Sequence, residues 1–365
     1  MVVSVNAALG LTRANWVDGE WRPAARSAWT RMLVGGEEES WPQSDLADVT
    51  AANGAAARAS VRWSSFASAE RHACAVALTE ALESNSDLAP RLAARFGLTP
   101  ADCAPHLRGL VDEARAALAR TPDARPGVAW HAPDWRELLR ASGLELALEL
   151  AAGRAVVLVA DPRMPELAEV LARAAESAGV PAGVVNLLHG ARRELLASGL
   201  GVAARLSASG SVEFMAELRR VEGTFEARLR ALRAGTLEVD REHALEERVE
   251  DVVTRAFGAS ATFGGQLPGS LARVFCPAKS FSSFTELLLE RLAGFGALVP
   301  RIDAEAATHA RAAFELGLDE GATCIAGGDG EGLLFPATVF TNVEPYMESA
   351  KRQEPLPVLC LLRGE

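Results

Sequence analysis

Lysine is almost missing from this chain. It occurs at Lys279 and Lys351, so nearly all of the positive charge is arginine, and chemistry that needs a desolvated amine has two candidates. The five cysteines, Cys74, Cys103, Cys276, Cys324 and Cys360, are odd in number, widely spaced and without a CxxC. That pattern excludes a disulfide framework and reads as free thiols in a reducing compartment. The six histidines form no HxH or HxxxH pair, so no metal site is supported. There is no run of Lys/Arg, and 48 acidic residues against 37 basic ones give a formal charge of −11, without the footprint a phosphate backbone requires. No apolar run reaches the roughly 18 to 20 residues of a membrane span, and the start MVVSVNAALG has no charged region leading into a long apolar stretch. The expectation is a cytoplasmic protein that binds neither nucleic acid nor membrane.

What is present is ordinary globular material: 365 residues, 49% hydrophobic and 23% charged. That length suggests two domains, divided at 1–239 and 240–365. In WVDGEWRP, Asp18-Gly19 between short extended runs predicts a hairpin. From Asp45 to about Gly97, apolar residues recur every three or four positions and predict long helices, with a third at Leu107 to Arg120. Three prolines in Thr121 to Pro133 read as a break. A helix at Arg136 to Ala152 is followed by the strand RAVVLVA, the helix PELAEVLARAAESAG and the strand GVVNLLHG. A further strand at Val202 to Leu206 leads through a Ser/Gly turn into another helix. Alternation at this spacing favours a parallel, doubly wound α/β sheet. After Val239 come helices at Leu245 to Phe257, Phe284 to Leu292 and Ala304 to Leu316, and strands in LARVFC, ATCIAGG, ATVFTNV and LPVLCLL.

Several segments together resemble the aldehyde dehydrogenase family. They are WVDGEWRP, then AVVLVADPRMPELAEVLARAAESAGVPAGVVNLLHG, LSASGSVEFMAEL, AFGASATFGGQLPGSLARVF and GLLFPATVFTNVEPYMESAKRQEPLPVLCLLR. The resemblance covers nearly the whole chain, and AGVPAGVVNLLHG is its most specific stretch. It implies a Rossmann-like nucleotide-binding domain and a second α/β catalytic-like domain. That second domain is expected to be truncated, because the chain stops at Glu365 soon after LPVLCLL. The family's reaction is attack of a cysteine thiolate on an aldehyde, hydride transfer to a nicotinamide, and hydrolysis of the thioester by a glutamate-activated water.

The family positions, carried over residue by residue, depart from that chemistry. Gly265-Gln266 matches the family's Gly-Gln and puts Pro268 where the nucleophilic cysteine belongs. Cys276 lies too far along the following strand to substitute, and reads as a packed thiol. In DWREL, Trp135 is kept and Arg136 stands where an amide stabilises the oxyanion. The general-base position falls at Ala234, with Glu238 the nearest carboxylate beyond it, and the glutamate for the nicotinamide ribose aligns with Gln353. On the cofactor side, Val159 and Pro162 replace the adenosine-ribose lysine and glutamate. Asp161 reads either as a ribose acceptor or as a turn or cap residue. Gly210 and Ser211 are kept at the pyrophosphate end, where amides of a helix N-terminus can hold an anion, and Met215 replaces a glycine one turn later.

These departures together imply a catalytically inactive aldehyde dehydrogenase-like protein, a structural or regulatory subunit paired with an active enzyme of the family. No cofactor is expected, or NAD(P) if any. The alternative is an NAD(P)-binding oxidoreductase of altered activity, carried by Gly210, Ser211 and Arg136. GGDGEG at Gly327 to Gly332 lacks a GKS/T ending and reads as a surface turn.

Overall fold

A computed structural model of the chain describes residues 11–34, 37–85, 88–96, 100–119, 125–138, 142–221, 223–239, 245–253, 263, 265–292 and 299–364. The chain divides into two compact units, Met1–Ala94 with Thr99–Ala231, and Arg95–Leu98 with Leu232–Glu365.

The first unit begins with the hairpin of β1 (Asn15–Val17) and β2 (Glu20–Arg22). Asp18 and Gly19 both take positive φ, 56° and 83°, the two-residue turn whose twist matches the flanking strands. A second hairpin, β3 (Trp29–Val34) with β4 (Glu37–Pro42), was not legible in the sequence. Helix α1 (Leu46–Ser64) starts at a capping box in which Asp45 and Asp48 accept each other's backbone N–H groups, and it buries a stripe of alanines with Val49 and Trp63. Then come α2 (Ser68–Glu83), α3 (Leu88–Phe96) and α4 (Pro100–Leu118).

The expected proline break holds a strand, β5 (Val128–Ala132), every residue of it buried. The expected helix from Arg136 to Ala152 is replaced by a short α5 (Trp135–Leu138) and by α6 (Ser142–Ala151), with 139–141 outside the described residues. The alternation then runs β6 (Ala155–Val159), α7 (Pro165–Ser177), β7 (Val185–Leu188), α8 (Arg192–Gly199), β8 (Ala203–Gly210), α9 (Val212–Leu218) and β9 (Glu226–Ala231). Strand order is β2-β1-β7-β6-β5-β8-β9, parallel from β7 to β9. The AVVLV of β6 is buried throughout, as a central strand covered on both faces must be. The chain leaves β5 toward β6 and β7, then crosses to β8 on the other side. The topological switch point, where doubly wound sheets form a crevice, therefore lies between the C-terminal ends of β5 and β8.

The second unit holds β10 (Gly235–Glu238), α10 (Leu245–Val252), β11 (Leu271–Pro277), α11 (Phe281–Leu292), β12 (Val299–Pro300), α12 (Ala304–Asp319), β13 (Thr323–Ala326), β14 (Leu334–Phe335), β15 (Thr338–Thr341), α13 (Glu348–Lys351) and β16 (Val358–Gly364). Its five-stranded sheet has the order β10-β11-β16-β15-β13, parallel except for β13 against β15. Val274, Cys276, Phe284, Val339 and Leu359 form the core on one face, and Ala310, Phe335, Phe340 and Leu362 that on the other. The expected helical residues 254–257 lie outside the described residues. GGDGEG lies between β13 and β14, where Glu331 bridges Leu334, and it opens no helix.

Candidate functional site

In the second unit the loop before β11 is held to two neighbouring segments by its backbone. Gly269 N donates to Arg233 O at 3.0 Å, and Gly235 N donates to Ser270 O at 2.8 Å. Ala234 N in turn donates to Gln353 O at 2.6 Å. Gly265, at φ 67°, comes so close that a Cβ there would sit 3.1 Å from the backbone of Leu356 and Pro357. Gln266 is buried; its Nε2 donates to Phe263 O at 2.7 Å, and its Oε1 accepts from Ile302 N at 3.0 Å. Pro268, Ala234 and Gln353 are thus drawn together through the backbone. None offers a thiol or a carboxylate: Pro268 is half-buried in the turn, and Gln353 is exposed.

The two reserve candidates lie elsewhere. Glu238 is exposed at the far end of β10, three residues from Gly235 and so about 10 Å along the strand. Cys276 is fully buried six residues beyond Ser270, about 20 Å along the strand. Burial pushes its thiol up, although Ser280 works against this, so it is a packed, protonated group.

In the first unit the crevice at the switch point is filled by an ionic network. Arg192, the first residue of α8, donates through Nη2 to Ala132 O at the end of β5 and to Ser209 O at the end of β8, both at 2.5 Å. Its guanidinium lies 4.8 Å from the centroid of the Phe214 ring on α9. Two carboxylates lie beside it. Asp134 accepts from Arg136 at 2.7 and 2.9 Å and from Arg163 at 2.8 Å, while its N–H donates to Ser209 Oγ. Asp161 accepts from Arg163 Nε and Nη2 at 3.0 and 2.8 Å and from Trp135 N at 3.0 Å. Arg192 Nη1 is 3.5 Å from Asp161 and 4.0 Å from Asp134.

Both aspartates are buried, at 1% and 0% exposure. Burial alone would raise their protonation, but the guanidiniums of Arg136 and Arg163 at Asp134, and of Arg163 and Arg192 at Asp161, hold both carboxyls below the usual range. Arg192 is itself lowered by burial. The network carries three positive charges against two negative, with Arg163 partly exposed and the other four groups buried, so removing either carboxylate leaves buried guanidinium charge uncompensated.

The sequence-read positions can be located against this network. Arg136, read at the oxyanion position, points its guanidinium at Asp134. Asp161 is the turn residue that one of its two readings gave: its Oδ1 accepts from Arg163 N at 2.9 Å and its carbonyl from Met164 N at 3.1 Å. It is not the N-cap of α7, which is Met164, and both its carboxylate oxygens are engaged within the chain. Gly210 closes β8, and a Cβ there would lie 2.8 Å from Phe214 Cδ1 and 3.5 Å from Met215 Cε. Ser211 caps α9 by accepting from Phe214 N at 3.2 Å, and Met215 is fully buried. At this crevice the carboxylates of Asp134 and Asp161 and the guanidinium of Arg192 are engaged by the chain itself, while Ser211 and Glu213 at the start of α9 are exposed. Sequence reading missed Arg163, Arg192 and Phe214; the run of Arg192-Arg193 opening a helix directly after a strand was the available signal.

A sequence model described as the aldehyde dehydrogenase family matches residues 128–365. Vanillin dehydrogenase of Pseudomonas fluorescens is 27% identical over 239 residues, covering 60% of this chain and 48% of that protein. A probable methylmalonate-semialdehyde/malonate-semialdehyde dehydrogenase [acylating], mitochondrial, of Dictyostelium discoideum is 30% identical over 249 residues, covering 59% and 44%. The chain thus spans about half the length of these two relatives. Among solved structures, the NAD+ complex of an aldehyde dehydrogenase from Bacillus cereus superposes with a TM-score of 0.91 at 21% identity, covering 100% of this chain and 82% of that one, which shows the fold. On the family match over residues 128–365, together with this fold, the chain belongs to the aldehyde dehydrogenase family.

Proposed function

We propose that this chain is a catalytically inactive member of the family, a structural or regulatory subunit of an active aldehyde dehydrogenase. The observation that carries the reading is the convergence of Pro268, Ala234 and Gln353 through the Gly269–Arg233 and Ala234–Gln353 hydrogen bonds. In the family's pattern these positions supply the nucleophile, the base and the nicotinamide-ribose carboxylate. Proline, alanine and glutamine supply none of these. A thiolate step therefore has no group to begin it, and thioester hydrolysis has no proton acceptor.

The crevice of the first unit supports the same reading. Asp134, Asp161 and three arginines occupy it, and Phe214 and Met215 pack against Gly210. On this account the chain binds no nicotinamide cofactor, and its fold is retained for its surface. The test is direct: the purified full chain is incubated with NAD+ or NADP+ and a panel of aliphatic and aromatic aldehydes. Turnover is expected to be absent, and millimolar NAD+ or NADP+ is expected to leave the unfolding midpoint unchanged. Saturable cofactor binding with aldehyde oxidation would instead establish the altered-oxidoreductase reading.

A further inference from the structure

At the opposite end of the first unit's sheet, where β5, β6, β8 and β9 begin, a recess of about 280 Å3 opens beside α6. Its inner wall is made by Glu145 and Glu149, four residues apart and therefore on one face of that helix. Both carboxylates are buried and satisfied from within. Glu145 accepts from Ser207 Oγ and from Arg230 Nη1, and lies 3.2 Å from His131 Nδ1. Burial would raise Glu145, but the His131 contact and the Arg230 charge hold it below the ordinary carboxylate range. Glu149 accepts from Arg154 Nη1 at 2.5 Å and lies 2.9 Å from Arg205 Nε.

The groups that face solvent are of the other sign. Arg125 and Arg228 have side chains 61% and 47% exposed, and Arg205 is 16% exposed between them. Four guanidiniums line the recess against two carboxylates. Glu226 at the rim is shared, 3.8 Å from Arg125 and 3.4 Å from Arg205, and removes one charge of that excess. Arg228 is the least compensated, 3.6 Å from a Glu145 already engaged by Arg230. Deeper in, Arg154 Nε is buried without an acceptor among the described residues. Leu148 and Ala152 supply an apolar patch. A positive concavity of this kind on a chain of formal charge −11 concentrates field where the rest of the surface repels anions.

We propose that this recess is a binding site for a small organic anion, with phosphate or carboxylate oxygens accepting from the forked N–H groups of Arg125, Arg205 and Arg228 and a short carbon skeleton resting on Leu148 and Ala152. Planar guanidiniums favour oxyanions that take two parallel hydrogen bonds, and those of Arg125 and Arg228 are accessible. The site is separate from the switch-point crevice, at the other end of the strands.

Isothermal titration calorimetry of the full chain tests this with inorganic phosphate and with succinate, each against chloride at equal ionic strength. Saturable one-to-one binding of at least one oxyanion is expected, with Arg228→Gln and Arg125→Gln each weakening it about tenfold. A preference for phosphate assigns a phosphate ester, and a preference for succinate a dicarboxylate. The two arginines are exposed, so the variants should unfold at the parent's midpoint when no ligand is present. Heats no larger than those of chloride with both probes, or unchanged affinity in both variants, would overturn the proposal.

Discussion

The Arg192 guanidinium lies 4.8 Å from the centroid of the Phe214 ring, and the same guanidinium donates to Ala132 O and Ser209 O at the C-terminal ends of the two strands that flank the switch point. One side chain thereby ties α8 to α9 and to the ends of β5 and β8. A nucleotide-binding fold ordinarily leaves this place open for a ligand; here the chain's own charges fill it.

The network should dominate the first unit's stability. Asp134→Ala leaves Arg136 and Arg163 without the acceptor they share, and is expected to cost about 3–5 kcal/mol. Urea denaturation followed by circular dichroism measures it. A loss below about 1 kcal/mol would show that the pairs are not energetically coupled to the fold.

Acid should destabilise the chain in two stages. His189 is fully buried, and burial lowers it from 6.5 to about 3. Between those values the unfolded chain takes up a proton that the folded chain refuses, so stability falls as pH drops through that window. Asp134 and Asp161 have folded values held below that of the unfolded carboxyl, so their contribution is complete above about pH 4 and is lost below it. Stability against pH for the parent and for His189→Gln separates the two contributions: the variant should be flatter between pH 6.5 and about 3, and should keep the loss below pH 4 that comes from the aspartates.

Thiol chemistry should be slow at every cysteine. Cys103, Cys276 and Cys360 are buried, and Cys74 and Cys324 are half-buried with thiols that burial pushes up. Iodoacetamide at pH 7 is expected to modify the folded chain sluggishly and all five sites once it is unfolded. One rapidly alkylated cysteine in the native chain would reveal an activated thiolate and contradict the inactive reading.

The loop at Pro268 depends on a glycine. Gly265→Ala forces a Cβ to 3.1 Å from the Leu356 backbone at a left-handed φ and is expected to cost about 1–3 kcal/mol. Thermal unfolding of the variant gives the value, and an unchanged midpoint would mean that the loop is not pressed against the 356–357 segment.

Much of the fold was legible because the signals are local. Asp18-Gly19 announced its hairpin, the unbroken AVVLV of β6 announced a covered strand, and Gly179 marked the end of the helix between β6 and β7. β5 was not legible: its five residues include Trp130 and His131 and stand between prolines, so a fully buried central strand reads as a broken loop. β9 was missed because EARLRA alternates charge with small apolar residues, the pattern of a sheet edge and not of a core. The ionic network was invisible for a different reason. Asp134, Asp161 and Arg192 are separated by 27 and 31 residues and meet only because three parallel strands end side by side. Read alone, Asp161 suggested a ribose contact; Arg163, two residues on, takes that carboxylate instead.

The most direct test of the central claim is native mass spectrometry of the full chain, tagged and gently purified from its own cells. The account predicts a stable heteromer with an intact aldehyde dehydrogenase, whose catalytic thiol accounts for all aldehyde oxidation in the preparation. A lone monomer or homo-oligomer that oxidises aldehydes with NAD(P)+ would contradict it.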